Sequence, residues 1–214
     1  MTFSRISHLA LVAFLLSACA SNTEEDLPPE DTNDGLITAL MLEFTPVNGG
    51  DPLSFGWTAA EGDGEALVDT IPLPDRTNHN HHDKQSYMLN IELWNTLDDS
   101  EINISQDIKD AGDAYQLFFT GSAVDGPATA DNSSAIIRHA YDDVDTNGLP
   151  IGLKNKVDTM AWGTGQLTVT LRHMPPEDDG MFKVDNLAED IAENGFDAIG
   201  GENLLQVTFD IEVD

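Results

Sequence analysis

From Leu36 onward, apolar and polar side chains alternate with a period of two. In residues 166–173, Leu167, Val169 and Leu171 project to one side and Thr168, Thr170 and Arg172 to the other. That pattern predicts a strand with one buried face and one face in water. The final run repeats it, with Leu205, Val207, Phe209, Ile211 and Val213 inward and Gln206, Thr208, Asp210 and Glu212 outward. Between Gln85 and Trp94, Tyr87, Leu89, Ile91 and Leu93 share one face, opposite Asn90 and Glu92. Shorter candidates are 36–45, 53–59, 101–106, 115–121, 134–141 and 153–161, set apart by turn clusters such as Asn48-Gly49-Gly50-Asp51-Pro52. One stretch departs from the period. From Asp185 to Gly195, Leu187 and Ile191 fall four apart, Asp185 can cap and Gly195 can terminate, so a short helix is expected there. Many short strands joined by turns, with one helix near the C-terminus, predict an all-β fold: an immunoglobulin-like antiparallel β-sandwich spanning residues 36–214.

The first 35 residues follow a different pattern. Residues 1–18 carry one charged side chain, Arg5, then an unbroken apolar run from Leu9 to Leu16, which reads as a secretory signal. The run is too short to span a bilayer, which takes about 20 apolar residues, and Glu24-Glu25-Asp26 follows soon after it. Leu16-Ser17-Ala18-Cys19 resembles the bacterial lipobox, which implies cleavage before Cys19 and acylation of its sulfur and new amino group. Cys19 is the only cysteine, so no intrachain disulfide competes for it. Ala20 after the cysteine resembles the sorting signature of an outer-membrane passenger, anchored through lipid and facing the periplasm or the surface. Residues 19–35 hold six acidic groups and two prolines and read as an extended tether.

Charge narrows the choice of partners. With 39 Asp and Glu against 9 Lys and Arg, the formal charge of -30 excludes nucleic acid as a partner. The hydrophobic fraction of 40% is enough for one compact core.

Two clusters carry candidate metal chemistry. Asp143, Asp145, Asn147 and Gly148 fit the first half of an Asp-x-Asp-x-Asn-Gly calcium loop, in which oxygens two residues apart wrap a hard cation. Position twelve is Lys154 where an EF-hand needs a bidentate Glu, so the loop is no EF-hand. A calcium site of another kind would use the side chains of Asp143, Asp145 and Asn147 and the Leu149 carbonyl. The same residues also simply make turns. The second cluster is Asn78-His79-Asn80-His81-His82-Asp83. On an extended chain His79 and His81 share a face with His82 beside them, a spacing suited to zinc or copper, with His173 or His139 as a further ligand. A solvated polar loop is the alternative. No serine, cysteine or lysine nucleophile pairs with a base, and no phosphate-binding glycine loop is present, so no enzyme is expected.

Several segments together resemble a family of small bacterial lipoproteins, abundant in Bacteroidetes and marine bacteria and named for a type 1 periplasmic-binding domain. They are the lipobox, Ile91-Glu92-Leu93-Trp94-Asn95, Tyr115-Gln116-Leu117-Phe118-Phe119, the stretch from Tyr141 to Leu153, the stretch from Gly163 to His173, and Val207-Thr208-Phe209. The family's name implies a two-lobed fold, which needs roughly 250 residues or more and does not fit this length or period. The resemblance implies an outer-membrane lipoprotein that assists a TonB-dependent receptor in capturing a metal ion or small solute. This chain departs from the family in having Tyr115 where a histidine precedes the Gln-Phe-Phe stretch, and in adding the His79–His82 cluster and the helix at 185–195. The alternative function is a structural or adhesive surface sandwich rigidified by calcium.

Overall fold

The computed structural model describes residues 36–60, 65–74, 84–97, 101–175 and 183–214. They form a two-sheet β-sandwich. In chain order the strands are β1 (Ala39–Pro46), β2 (Leu53–Thr58), β3 (Leu67–Val68), β4 (Ile71–Leu73), β5 (Ser86–Asn95), β6 (Ile102–Asn103), β7 (Tyr115–Thr120), β8 (Val124–Asp125), β9 (Ile137–Tyr141), β10 (Lys154–Thr159), β11 (Gly163–His173) and β12 (Glu202–Val213). Helices α1 (Ser105–Asp110) and α2 (Leu187–Asn194) are each followed by a short 3-10 turn, Gly112–Ala114 and Phe196–Ala198. The larger sheet runs β3-β2-β1-β5-β10-β9-β8, with β6 on the end of β5, and the smaller runs β4-β12-β11-β7.

The period of two places the core. Leu40, Leu42 and Phe44 of β1, Tyr87, Leu89, Ile91 and Leu93 of β5, and Leu167, Val169 and Leu171 of β11 meet Val207, Phe209 and Ile211 of β12 in one buried cluster. Across β11 and β12 the register pairs Leu167 with Phe209, Val169 with Val207 and Leu171 with Leu205, so both strands turn their apolar sets to the same side.

Four features differ from the sequence expectation. Pairing is mostly antiparallel, yet β4 lies parallel to β12 and β8 parallel to β9. Residues 101–106, read as a strand, become two residues of β6 and then α1, because Ile104 and Ile108, four apart, both bury into the core. The Ser105 hydroxyl, accepting a 2.8 Å hydrogen bond from the Leu93 amide, ties the start of α1 to β5.

The third difference concerns β11. Thr170 and Arg172, expected on a solvated face, are 0% and 7% exposed. The cause is a second, smaller core on the outside of the small sheet, where Leu187, Ala188 and Ile191 of α2 cover Phe118, Met174 and Ile199. The Arg172 guanidinium donates to the carbonyls of Ile199, Gly200 and Gly201 and to the Asn203 side chain, at 2.6–3.0 Å. A charge under a helix is tolerated because its donors are met. Gly201 is required in that turn: its φ is +85°, and a Cβ there would lie 2.1 Å from the His173 carbonyl. Helix α2 begins after Asn186, which adopts a left-handed φ of 67°, and not after a capping Asp185.

Candidate functional site

The Asp-rich loop joins β9 to β10, and its carboxylates are bound by the chain itself. Asp143 accepts hydrogen bonds from the amides of Gly152, Leu153 and Lys154 at 2.8, 3.0 and 3.1 Å. One Asp145 oxygen accepts from the amides of Asn147 and Leu149 at 2.8 and 2.9 Å. The Leu149 carbonyl, a candidate calcium ligand, accepts the Asp145 amide at 2.8 Å. The other Asp145 oxygen lies 2.9 Å from the Lys183 ammonium, with side-chain exposures of 1% and 0% for the two residues. Lys183 also donates to the Gly112 carbonyl at 2.6 Å. Burial alone would raise the Asp145 carboxyl, but Lys183 and the Leu149 and Asn147 amides outweigh it and hold the group below its ordinary value. Burial lowers the Lys183 ammonium, against the pull of Asp145, Asp143 and Asp113. The cation that Asp145 meets is therefore a lysine thirty-eight residues further along, which no local spacing could have indicated. Asn147, the remaining candidate ligand, is exposed.

The described histidines stand apart. His139 in β9 is 3% exposed and stacks on Phe119 at 4.2 Å, with Tyr141 edge-on at 4.9 Å. Its Nε2 lies 3.0 Å from the Asn155 Oδ1. Because the Asn155 amide nitrogen donates to the Gly152 carbonyl, Oδ1 is the acceptor and Nε2 carries the proton. Burial pushes this imidazole down to about 4, against the smaller opposing effect of Asn155. His173 ends β11, half-buried and stacked on Tyr115 with ring centres 4.6 Å apart and planes 20° from parallel. Tyr115 and Phe119 are four residues apart on β7, roughly 13 Å at ~3.3 Å per residue, so His139 and His173 do not converge on one ion. His79, His81, His82 and Cys19 lie outside the described residues. Lys84 and Gln85, which follow the histidine cluster, sit where Gln85 and Thr159 exchange hydrogen bonds, at the end of the sandwich where β11 begins. His173 is at the other end of β11. Among the described residues, no group of three or more His, Cys, Asp or Glu is positioned to hold a metal ion.

Beside the Tyr115–His173 stack opens a cleft of about 200 Å³. Ile37, Ile104, Ile108, Leu171 and Leu204 wall it, and Tyr115, Asp107 and Ala111 complete the lining. Helix α1 and its C-cap make one side, with Asp107 and Ile108 from the helix and Ala111 from the cap, while β7, β11 and β12 contribute one residue each. Leu204 is 42% exposed at the cleft, so apolar surface stays open to a ligand. Pockets for drug-sized molecules run to about 300–1,000 Å³, so this one suits a smaller solute. Residues 115–119, 141–153 and 163–173 touch one another at this end of the fold. The Leu117 amide donates to the Ile151 carbonyl at 2.7 Å, the Tyr141 hydroxyl to the Leu117 carbonyl at 2.9 Å, and Tyr115 stacks on His173.

No family model matches the chain, and comparisons with curated proteins and with solved structures find no match. The chemistry of the site must be read from its own residues. Among the described residues His139 bonds a carboxamide and His173 stacks on a phenol, and neither hydrogen-bonds a hydroxyl that it could activate.

Proposed function

We propose that this chain is a non-enzymatic, lipid-anchored binding protein of the cell envelope. It captures a small solute at the cleft beside Tyr115 and His173 and delivers it to a TonB-dependent outer-membrane transporter. The observation that carries the reading is the cleft itself: an apolar cavity of about 200 Å³ at one end of a rigid sandwich, flanked by a stacked Tyr–His pair and one carboxylate. Apolar walls supply affinity at about 25 cal/mol per Å² buried, and the few polar groups orient the ligand. The lipobox at Cys19 and the acidic tether support an anchored domain held off the membrane. Among the described residues a small organic solute is favoured over a transition metal, because His139 and His173 lie on different parts of the fold. A calcium-rigidified sandwich is disfavoured because the Lys183 ammonium already neutralises Asp145.

Native mass spectrometry of the full chain, gently extracted from its own envelope, tests the proposal. A small-molecule adduct is expected on the wild-type protein and should be lost in Ala111→Trp, which fills the cleft from its α1 side. An adduct-free wild type, or an adduct that persists in Ala111→Trp, counts against it.

A further inference from the structure

The opposite side of α1 borders a second cavity of different chemistry, an open groove of about 420 Å³ on the outer face of the large sheet. Asn90 and Glu92 of β5, Lys154 of β10, Asn103 of β6, and Ser105, Gln106 and Lys109 of α1 line it. The cations are the first clue. Of the exposed basic residues described, Arg138 pairs with Asp125 and Lys156 with Asp142, whereas Lys84, Lys109 and Lys154 form no ion pair among the described residues, and the last two share this groove. In a chain with 9 basic against 39 acidic side chains, two unpaired ammonium groups share one groove with a single carboxylate, Glu92.

The amides supply the second clue. Asn103 accepts the Ser105 amide through its oxygen, which leaves its NH₂ group to donate. Gln106 donates to Asp110 at 2.7 Å, which leaves its carbonyl to accept. Asn90 donates its NH₂ weakly toward Glu43 at 3.5 Å, and one Glu92 oxygen accepts the Trp94 indole at 3.3 Å, so an acceptor remains on each. The Ser105 oxygen accepts the Leu93 amide, and its proton is free to donate. Interleaved donors and acceptors are what a row of hydroxyl groups requires, since each hydroxyl both donates and accepts.

From this juxtaposition we infer that the groove binds a sugar acid of one or two residues. Its carboxylate is held by Lys109 and Lys154, and its hydroxyls by Asn90, Glu92, Asn103, Ser105 and Gln106. Among the lining side chains two ammonium groups stand against one carboxylate, while the Asp110 and Glu43 carboxylates at its edge are met by Gln106 and Asn90. The overall negative charge does not forbid it, because at physiological salt charges more than about 8 Å away are largely screened. The inference does not depend on the cleft reading, whose walls are apolar and face the other side of α1.

Calorimetry on the full chain tests it, with galacturonate and a disaccharide of one galacturonate and one galactose as ligands, and galactose and acetate as comparisons. Both acids are expected to bind at least about tenfold tighter than galactose or acetate, because carboxylate and hydroxyl contacts act together. Lys109→Gln with Lys154→Gln should cost about tenfold or more in affinity, since a charge-assisted bond is lost at each site. Lys84→Gln, at the far end of β5, should change nothing and controls for general charge. Equal binding of acetate would reduce the groove to a bare anion patch and overturn the assignment. So would equal binding of galactose, no binding of either acid, or an unaltered affinity in the double variant that keeps the wild-type melting temperature.

Discussion

Acidification should destabilise the domain through one buried imidazole. His139 is 3% exposed, its Nε2–H is committed to Asn155, and burial holds it neutral down to about 4. In the unfolded chain the same imidazole takes up a proton near 6.5. The folded value is the depressed one, so the contribution is intact above pH 6.5 and is lost as pH falls through 6.5 toward 4. Over that whole window a shift of this size corresponds to about 3 kcal/mol, and at pH 5 about 2 kcal/mol has gone. Typical domains have only 5–15 kcal/mol in total. Urea denaturation of the full chain at pH 7.5, 6.0 and 5.0 measures it, alongside His139→Phe. The variant loses the bond to Asn155 and will be less stable at every pH, so the informative quantity is the slope. Wild type should lose about 2 kcal/mol more than His139→Phe between pH 7.5 and 5.0. Equal slopes would show that His139 is protonated in the folded state, or exposed to water, and would refute the reasoning.

Three further outcomes are expected. Lys183→Met strands the Asp145 carboxylate with an exposure of 1% and should cost about 3–5 kcal/mol by thermal or chemical denaturation, whereas pairing it with Asp145→Asn should recover part of the loss. Millimolar calcium should leave the wild-type melting temperature unchanged because Lys183 occupies the carboxylate; a rise would revive the calcium reading. Cys19→Ser should stay in the aqueous phase of a detergent-partitioning assay, since the proposed anchor needs that sulfur, and a processed variant in the detergent phase would contradict the proposal.

What could be read from the sequence was whatever repeats with a period. Leu167, Val169 and Leu171, and their partners in β12, fell on one face because a strand leaves no other choice. The helix after Asp185 was visible in the spacing of Leu187 and Ile191. Its consequence was not, because the alternation in β11 gives no sign that a helix will cover Thr170 and Arg172 from the other side. Helix α1 was missed for the opposite reason: six residues are too few for a helical period to stand out from a strand's. The Asp143–Gly148 stretch was correctly picked out as a tight oxygen-rich turn, but whether a metal or a side chain supplies the cation depends on Lys183, remote in sequence. The cleft was illegible, since its walls come from three strands of the smaller sheet, α1 and its flanks, and Ile37 ahead of β1, brought together only by folding.

The most direct test of solute capture is the melting temperature of the full chain before and after its bound molecules are stripped by unfolding, dialysis and refolding. A ligand that binds only the folded state stabilises it, by about 2.7 kcal/mol at a hundredfold excess over Kd. The stripped protein should melt several degrees lower than the natively purified one and recover when the dialysed small molecules are returned, while Ala111→Trp should show neither change. Identical melting temperatures for native and stripped wild-type protein, with no response to the returned molecules, would contradict a binding cleft at Tyr115 and His173.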